Sequence, residues 1–282
     1  LLEKINYKKF IFPVAVGLIL WLLAPIRPVG VDLAAWRMLA IFVATIIGCV
    51  TKPLPIGAVA IVGFAITVMT GEVKIDDAVA GFGNSSIWLI VMAFFISRGF
   101  IKTGLGKRIA LVFVKIFGKK TLGLMYSLIG VDLILAPATP SNTARAGGIM
   151  FPIINSLSHS FGSTPEDHTA RKIGSFLTFG EFHGNTITSA MFMTAMAANP
   201  LAQSLAKSVH VNLTWMDWFI AALVPGIFSL IVVPFLIYKM YPPEIKETPN
   251  AATWSKEQLN KMGVMKPAEK WMAVIFGLAL IL

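Results

Sequence analysis

Charge is what this chain has least of. Asp, Glu, Lys and Arg make up 13% of its 282 residues, where soluble domains carry roughly a quarter. Hydrophobic residues reach 56% and the mean hydropathy is +0.76, which excludes a soluble or disordered chain and indicates an integral membrane protein. Acids are scarcer than bases, 14 against 24, for a formal charge of +10. Such an excess can mark a nucleic-acid binder. Here the Lys and Arg residues lie between apolar runs and form no basic domain or stacking platform, so no nucleic-acid partner is expected. The one cysteine, Cys49, sits inside an apolar run, which excludes a disulfide framework and a cysteine metal site. A His-based metal motif and a nucleophile elbow are also missing, so no metal site is expected and little supports an enzyme.

What is present is a series of apolar runs. Lys4, Lys8 and Lys9 precede the run Phe10 to Ala24, and the positive-inside rule puts them and the N-terminus in the cytoplasm. No pattern of small residues for signal cleavage follows, so this run reads as a retained helix. A second helix is predicted from about Ala34 to Val50 and a third from Ile56 to Thr70. The loop beyond holds Glu72, Asp76 and Asp77 against Lys74, which suits the outer face. A fourth helix begins at Ile87. From Arg98 to Lys120 there are seven Lys or Arg and no acid, which returns the chain to the cytoplasmic side. Within that stretch Leu105, Ile109, Val112, Phe113 and Ile116 share a helical face, and Leu111 and Val114 spoil the pattern. A helix in the headgroup plane and a basic extension of the fourth helix both fit.

Two apolar arms follow, Thr121 to Ala136 and Ala144 to Ser158. At 15 or 16 residues each they are short for a hydrocarbon core of roughly 30 Å at 1.5 Å per residue, which predicts a re-entrant helical hairpin. The next run, Ile173 to Asn199, is long enough to cross. Its middle carries Glu181, His183, Asn185, Thr186, Thr188 and Ser189, so a broken helix facing the interior is predicted. A sixth helix runs from about Trp218 to Tyr238. Lys239 to Lys270, with six Lys, four Glu and four Pro, reads as a cytoplasmic linker. The chain starts at Leu1 without Met, and its last run, Trp271 to Leu282, has 12 residues where a span takes roughly 20, so the natural protein is expected to continue.

The stretch Ala136 to Met150, A-P-A-T-P-S-N-T-A-R-A-G-G-I-M, is the expected working centre. Irregular polar backbone at membrane depth survives only where protein buries it or where it lines a wet cavity. Two interrupted helices with polar breaks are the pattern of secondary transporters, in which half-helix N-termini offer N–H groups to anions. Ser141 is placed as an N-cap, with Asn142, Thr143 and Arg145 in the first turn of the second arm. Other readings stay open. S-N-T also suits an ordinary helix cap, and Arg145 an interfacial anchor that snorkels. Glu181 and His183 suit either a functional charge or an internal pair that holds the helix. Asp132 suits a cation ligand or a partner within the hairpin.

At this point the residues carry a likeness. P-S-N-T-A-R-A-G-G-I-M-F-P and the later T-S-A-M-F-M-T-A-M-A-A-N-P resemble the divalent anion:sodium symporter family, and within it the 2-oxoglutarate/malate translocator branch of dicarboxylate and citrate exchangers. The resemblance covers essentially the whole chain, as the first of two inverted repeats plus a linker. It implies an all-α, multi-pass cell-membrane protein, a homodimeric elevator-type transporter, with one re-entrant hairpin and one broken transmembrane helix in this half. Ser141, Asn142 and Thr143 would form the first substrate clamp, with Thr188 and Ser189 beside it. Sodium-coupled members carry a Gly-Gly pair where Thr188-Ser189 stands and a hydroxyl where Pro137 stands, so no cofactor is expected and sodium is disfavoured. A protein cation, Arg145 or His183, would then compensate the substrate charge.

The expected division is 1–120 as scaffold (four transmembrane helices and a basic segment), 121–240 as transport part, 241–270 as cytoplasmic linker and 271–282 as the start of another helix. The expected activity is exchange of di- or tricarboxylates of the 2-oxoglutarate, malate, succinate and citrate type, with a carboxylate substrate and membrane lipid as partners. Its rivals are sodium-coupled symport and a membrane enzyme using Glu181 and His183 as an acid/base pair.

Overall fold

The computed structural model describes residues 8–281; Lys4, Leu1 and Leu282, which entered the sequence reading, lie outside the described residues. All named elements are helical, and the one β feature among the described residues is an isolated bridge between Lys120 and Glu247. The chain forms two compact units, divided between Ile87 and Trp88.

The first unit holds α1 (Lys8–Leu22), α2 (Leu33–Thr51), α3 (Ile56–Met69) and the short α4 (Ile75–Val79). Local chemistry sets the ends of α2. The Asp32 carboxylate accepts from Leu33 N–H at 2.7 Å at its start, and Lys52, in the left-handed region at φ 51°, stops it ahead of Pro53. Small residues bring the helices together, as membrane helices require where lipid supplies no hydrophobic drive. A Cβ at Gly17 would lie 2.8 Å from the Ala44 methyl, and one at Gly48 would lie 2.9 Å from Val59. Apolar side chains such as Phe12, Leu18 and Ile61 point outward from this unit. Arg37 reaches from α2 to Glu72 at 3.0 Å and covers the Trp21 ring.

The second unit begins within α5 (Ser85–Thr103). Gly104, at φ 80°, turns the chain into a separate helix, α6 (Leu105–Phe117). The expected apolar face of α6 is rotated. Leu111 and Val114, which spoiled the pattern, are fully buried, whereas Ile116 is 57% exposed. Two neighbours cause this, since α6 packs on α7 (Thr121–Leu135) and on α13 (Asn250–Met262) and so has no single apolar stripe. A 3-10 turn, Ala136–Ala138, prolongs α7 to 18 residues, long and apolar enough to cross a membrane. The first arm of the expected hairpin is therefore longer than its 16 apolar residues suggested. The second arm is helical throughout, as α8 (Asn142–Arg145), a π-turn (Ala146–Met150) and α9 (Phe151–Ser160).

Next come α10 (Gly174–Met191), α11 (Ala198–Ser208), α12 (Trp215–Met240), then α13 and α14 (Pro267–Ile281). The predicted break within Phe179 to Ser189 is corrected: α10 runs through it, and the chain leaves the helix only at Phe192. The two glycines of F-G-E-F-H-G are packing positions. A Cβ at Gly184 would fall 2.6 Å from Ile129, and one at Gly180 would overlap Met125, so their absence lets α10 lie against α7. The segment read as a linker is docked. Ile245 N–H donates to Lys172 O at 2.9 Å, Thr121 N–H to Lys246 O at 3.0 Å and Thr248 N–H to Lys119 O at 2.9 Å. Arg108 then holds Glu269 through two bonds, the shorter 2.7 Å.

Candidate functional site

The polar centre of the second unit is built on one ion pair. Asp132, near the end of α7, and Arg145, at the end of α8, are both wholly buried and meet at 3.0 Å. Asp132 is completed by α10, whose Asn185 amide donates at 3.0 Å and whose Thr188 hydroxyl donates to the second carboxylate oxygen. The remaining donors of Arg145 reach the carbonyls of Thr139 (2.6 Å) and Ala195 (2.8 Å), the Ser189 hydroxyl (2.7 Å) and the Thr188 hydroxyl (3.5 Å). Thr139 lies in the turn between the two arms and Ala195 in the irregular segment after α10. One guanidinium therefore ties together the two places where helical backbone is interrupted, and Thr194 adds a bond from its hydroxyl to Pro137 O. A buried pair survives only when its remaining hydrogen-bonding capacity is met, and here the fork geometry of Arg meets it.

The tip between the arms is finished differently. Ser141, in extended conformation, caps α8 by accepting from Ala144 N–H at 3.1 Å. Asn142 turns its carbonyl back to Thr143 N–H at 2.8 Å, which leaves its amide nitrogen with no acceptor among the described residues. Ser141 and Asn142 are half-buried and Thr143 is exposed. The π-turn one step on, at Ala146–Met150, contains Gly147 and Gly148, and such turns are frequent at functional sites.

Residues 4–282 match the family described as the sodium:sulfate symporter transmembrane region. The chain belongs to this family. It is 62% identical over 270 residues to the putative malate transporter YflS of Bacillus subtilis, covering 95% of this chain and 56% of that protein. It is 49% identical to the chloroplastic dicarboxylate transporter 1 of Spinacia oleracea, and 45% identical to dicarboxylate transporter 2 of the same plant. The matches cover 95% and 94% of this chain, and 47% of each relative. The chain spans about half the length of the curated relatives it matches. Family and apolar helices together make it a multi-pass membrane protein of a transporter family.

Within this symporter-family chain the residues expected at the site separate into two sets. Ser141, Asn142 and Thr143 stand together at the tip, with the N-cap geometry read from the sequence. Thr188 and Ser189 are buried and engaged with Asp132 and Arg145, so they hold the hub. Arg145, expected as a charge-compensating cation, has all its donors used and its charge balanced by Asp132. Its burial also rules out the snorkelling anchor, and Asp132 is the hairpin partner that the sequence allowed. His183 lies on the other side of α10, its ring edge-on to Phe179 and Phe182, and is half-buried. It is not paired with Glu181, whose two carboxylate oxygens have no hydrogen-bond partner among the described residues. Asn199 donates to Ser189 O at 2.8 Å and Phe192 O at 2.9 Å and pins the segment after α10. Ala195 was missed, since a backbone carbonyl carries no sequence signal.

Proposed function

We propose that this chain supplies one half of the carboxylate site of a transporter that exchanges di- or tricarboxylates across the membrane. The observation that carries the reading is the tip itself. Its Asn142 amide nitrogen has no acceptor among the described residues, and Thr143, whose hydroxyl donates to the Asn142 carbonyl at 3.4 Å, is exposed, while the buried Asp132–Arg145 pair fixes the turn behind them. Neutral donors suit a carboxylate that must bind and then leave, because they add no fixed charge to hold it. The relatives named as malate and dicarboxylate transporters support carboxylate as the substrate class.

In this reading residues 1–120 are scaffold and 121–240 the moving part of an elevator-type homodimer. The two arms form a re-entrant hairpin, and the N-terminus is cytoplasmic. The membrane is the cell membrane. With Arg145 paired to Asp132, His183 is the residue of this half that remains for the charge-compensating role. Exchange is favoured over sodium symport by Pro137 and Thr188-Ser189: the carbonyl of the first accepts from Thr194, and the hydroxyls of the pair are committed to Asp132 and Arg145. Counterflow of labelled malate, succinate and citrate in proteoliposomes, with and without sodium, tests both parts. The expected result is counterflow that requires internal carboxylate and is indifferent to sodium. Uptake without internal carboxylate that needs sodium would replace exchange by symport, and no carboxylate movement would remove the reading.

A further inference from the structure

The hub contains one ionisable group that its hydrogen bonds do not use. Glu181 lies on the α10 face that also carries Asn185 and Thr188, is 4% exposed, and has no hydrogen-bond partner at either carboxylate oxygen among the described residues. Buried carboxylates are otherwise paired or hydrogen-bonded. This chain's own residues cover it, so its isolation does not depend on what else surrounds the unit.

A charge count defines its state. Asp132 contributes one negative charge and Arg145 one positive charge, and every arginine N–H is already placed on Asp132, Thr139, Ala195, Thr188 or Ser189. The pair is neutral by itself. An ionised Glu181 would add an unbalanced negative charge inside the unit, with no donor to receive it. The other elements packed on α10 offer no substitute. Asp132 from α7 and Arg145 from α8 are the charged groups that act on Glu181. In α9 the titratable residue is His159, on the last turn and exposed, and the π-turn has none. In α12 they are Asp217 in the first turn and Tyr238 and Lys239 in the last. On α10 itself His183 faces Phe179 and Phe182 on the opposite side.

We propose that Glu181 is an exchangeable proton site through which carboxylate binding at the Ser141–Thr143 tip is linked to proton uptake. The linkage rests on the carboxylate reading above; the proton site does not. A dianion at the tip, one helical turn from Arg145, adds negative charge beside the hub and opposes an ionised Glu181. By reciprocity a protonated Glu181 favours the bound anion. An exchange cycle then carries the proton with the loaded site, and substrate is held more firmly on the more acidic side.

The test uses the full-length transporter. Infrared difference spectra of the wild type on raising the pH should show loss of a buried carboxylic-acid C=O band that Glu181→Gln lacks. In counterflow, the apparent affinity for a fully ionised dicarboxylate should be about fivefold or more tighter at about pH 6.5 than at about pH 8.5. The profile should be flat in both Glu181→Gln and Glu181→Met. Absence of the band from the wild type, or an unchanged pH profile in the two variants with dicarboxylate exchange intact, overturns the proposal. The wild-type spectrum decides the proton site even where a variant folds poorly. A titrating band with no dicarboxylate counterflow at any pH upholds the proton site and removes the substrate reading instead.

Discussion

The two interruptions of helical backbone in the second unit meet at Arg145 and are finished in opposite ways. The tip at Thr139 to Ser141 is capped from within, by Ser141 and Asn142, and its outer residues stay accessible. The segment after α10 is closed from outside. Asn199 pins it, Trp215 donates to the Thr194 hydroxyl at 3.3 Å, and Phe192 stacks with Phe219 and Trp215 at centroid distances of 5.6 and 6.2 Å. Ala195 at its centre is fully buried. Both interruptions solve the same problem, that of backbone groups without helical partners in an apolar medium. In one the polar side chains are consumed by the solution, and in the other some are left over. Spare donors at an open break are what a ligand site needs, and a closed break provides the anvil against which that site is held.

The tie shared by both interruptions is where a substitution should cost most. Arg145→Met leaves Asp132 buried with only Asn185 and Thr188 as donors, and stability should fall by about 3–5 kcal/mol, read as thermal unfolding in detergent. The double variant Arg145→Met/Asp132→Leu should recover part of that loss, because an apolar pair of similar volume carries no uncompensated charge. A single variant that unfolds within a degree or two of wild type would show that the two breaks are held by something other than this pair. Asn199→Ala acts on the closed break alone. It takes donors from Ser189 O and Phe192 O, and the expected loss is about 2 kcal/mol, with substrate affinity unchanged where the protein still folds. Weakened affinity without lost stability would make the closed break part of the binding surface.

How much of this could be read from the sequence depends on how local the determining physics is. The cap at Ser141 was legible because N-cap chemistry needs only the next three residues. Most helices were placed within a few residues for a similar reason, since proline and charge end apolar runs. Asp132 and Arg145 both stood out as charges in apolar arms. Their pairing required knowing that the arms turn back on each other. The middle of α10 was misread as a break, because a polar stretch with glycines looks alike whether the helix breaks or another helix comes close, and what decided it was Met125 and Ile129 of α7 against Gly180 and Gly184. The face of α6 was misread for the related reason that two partners, not one, cover it. The engagement of Thr188 and Ser189 with Asp132 and Arg145 follows from the register of α10 against α7, which no local pattern encodes.

At the open tip a substitution should leave the fold almost untouched. Asn142 is half-buried, its carbonyl is occupied by Thr143 N–H, and its amide nitrogen is the group left over. Replacing it by Ala removes that donor and the local turn bond. The cap from Ser141 and the tie through Arg145 remain, so folding stability should change by no more than about 0.5 kcal/mol, as for ordinary surface substitutions. If the amide holds a substrate carboxylate, affinity should fall by about 1 to 2 kcal/mol, the worth of a hydrogen bond to a charged group, or roughly five- to thirtyfold in apparent affinity by counterflow. A merely structural cap predicts the reverse, lost stability with unchanged affinity. Asn142→Asp separates the readings further. It keeps the acceptor that receives Thr143 N–H and exchanges the free donor for a negative charge, so the turn should persist while an anionic substrate is repelled. Unaltered exchange by the Asp variant would move the substrate away from this tip.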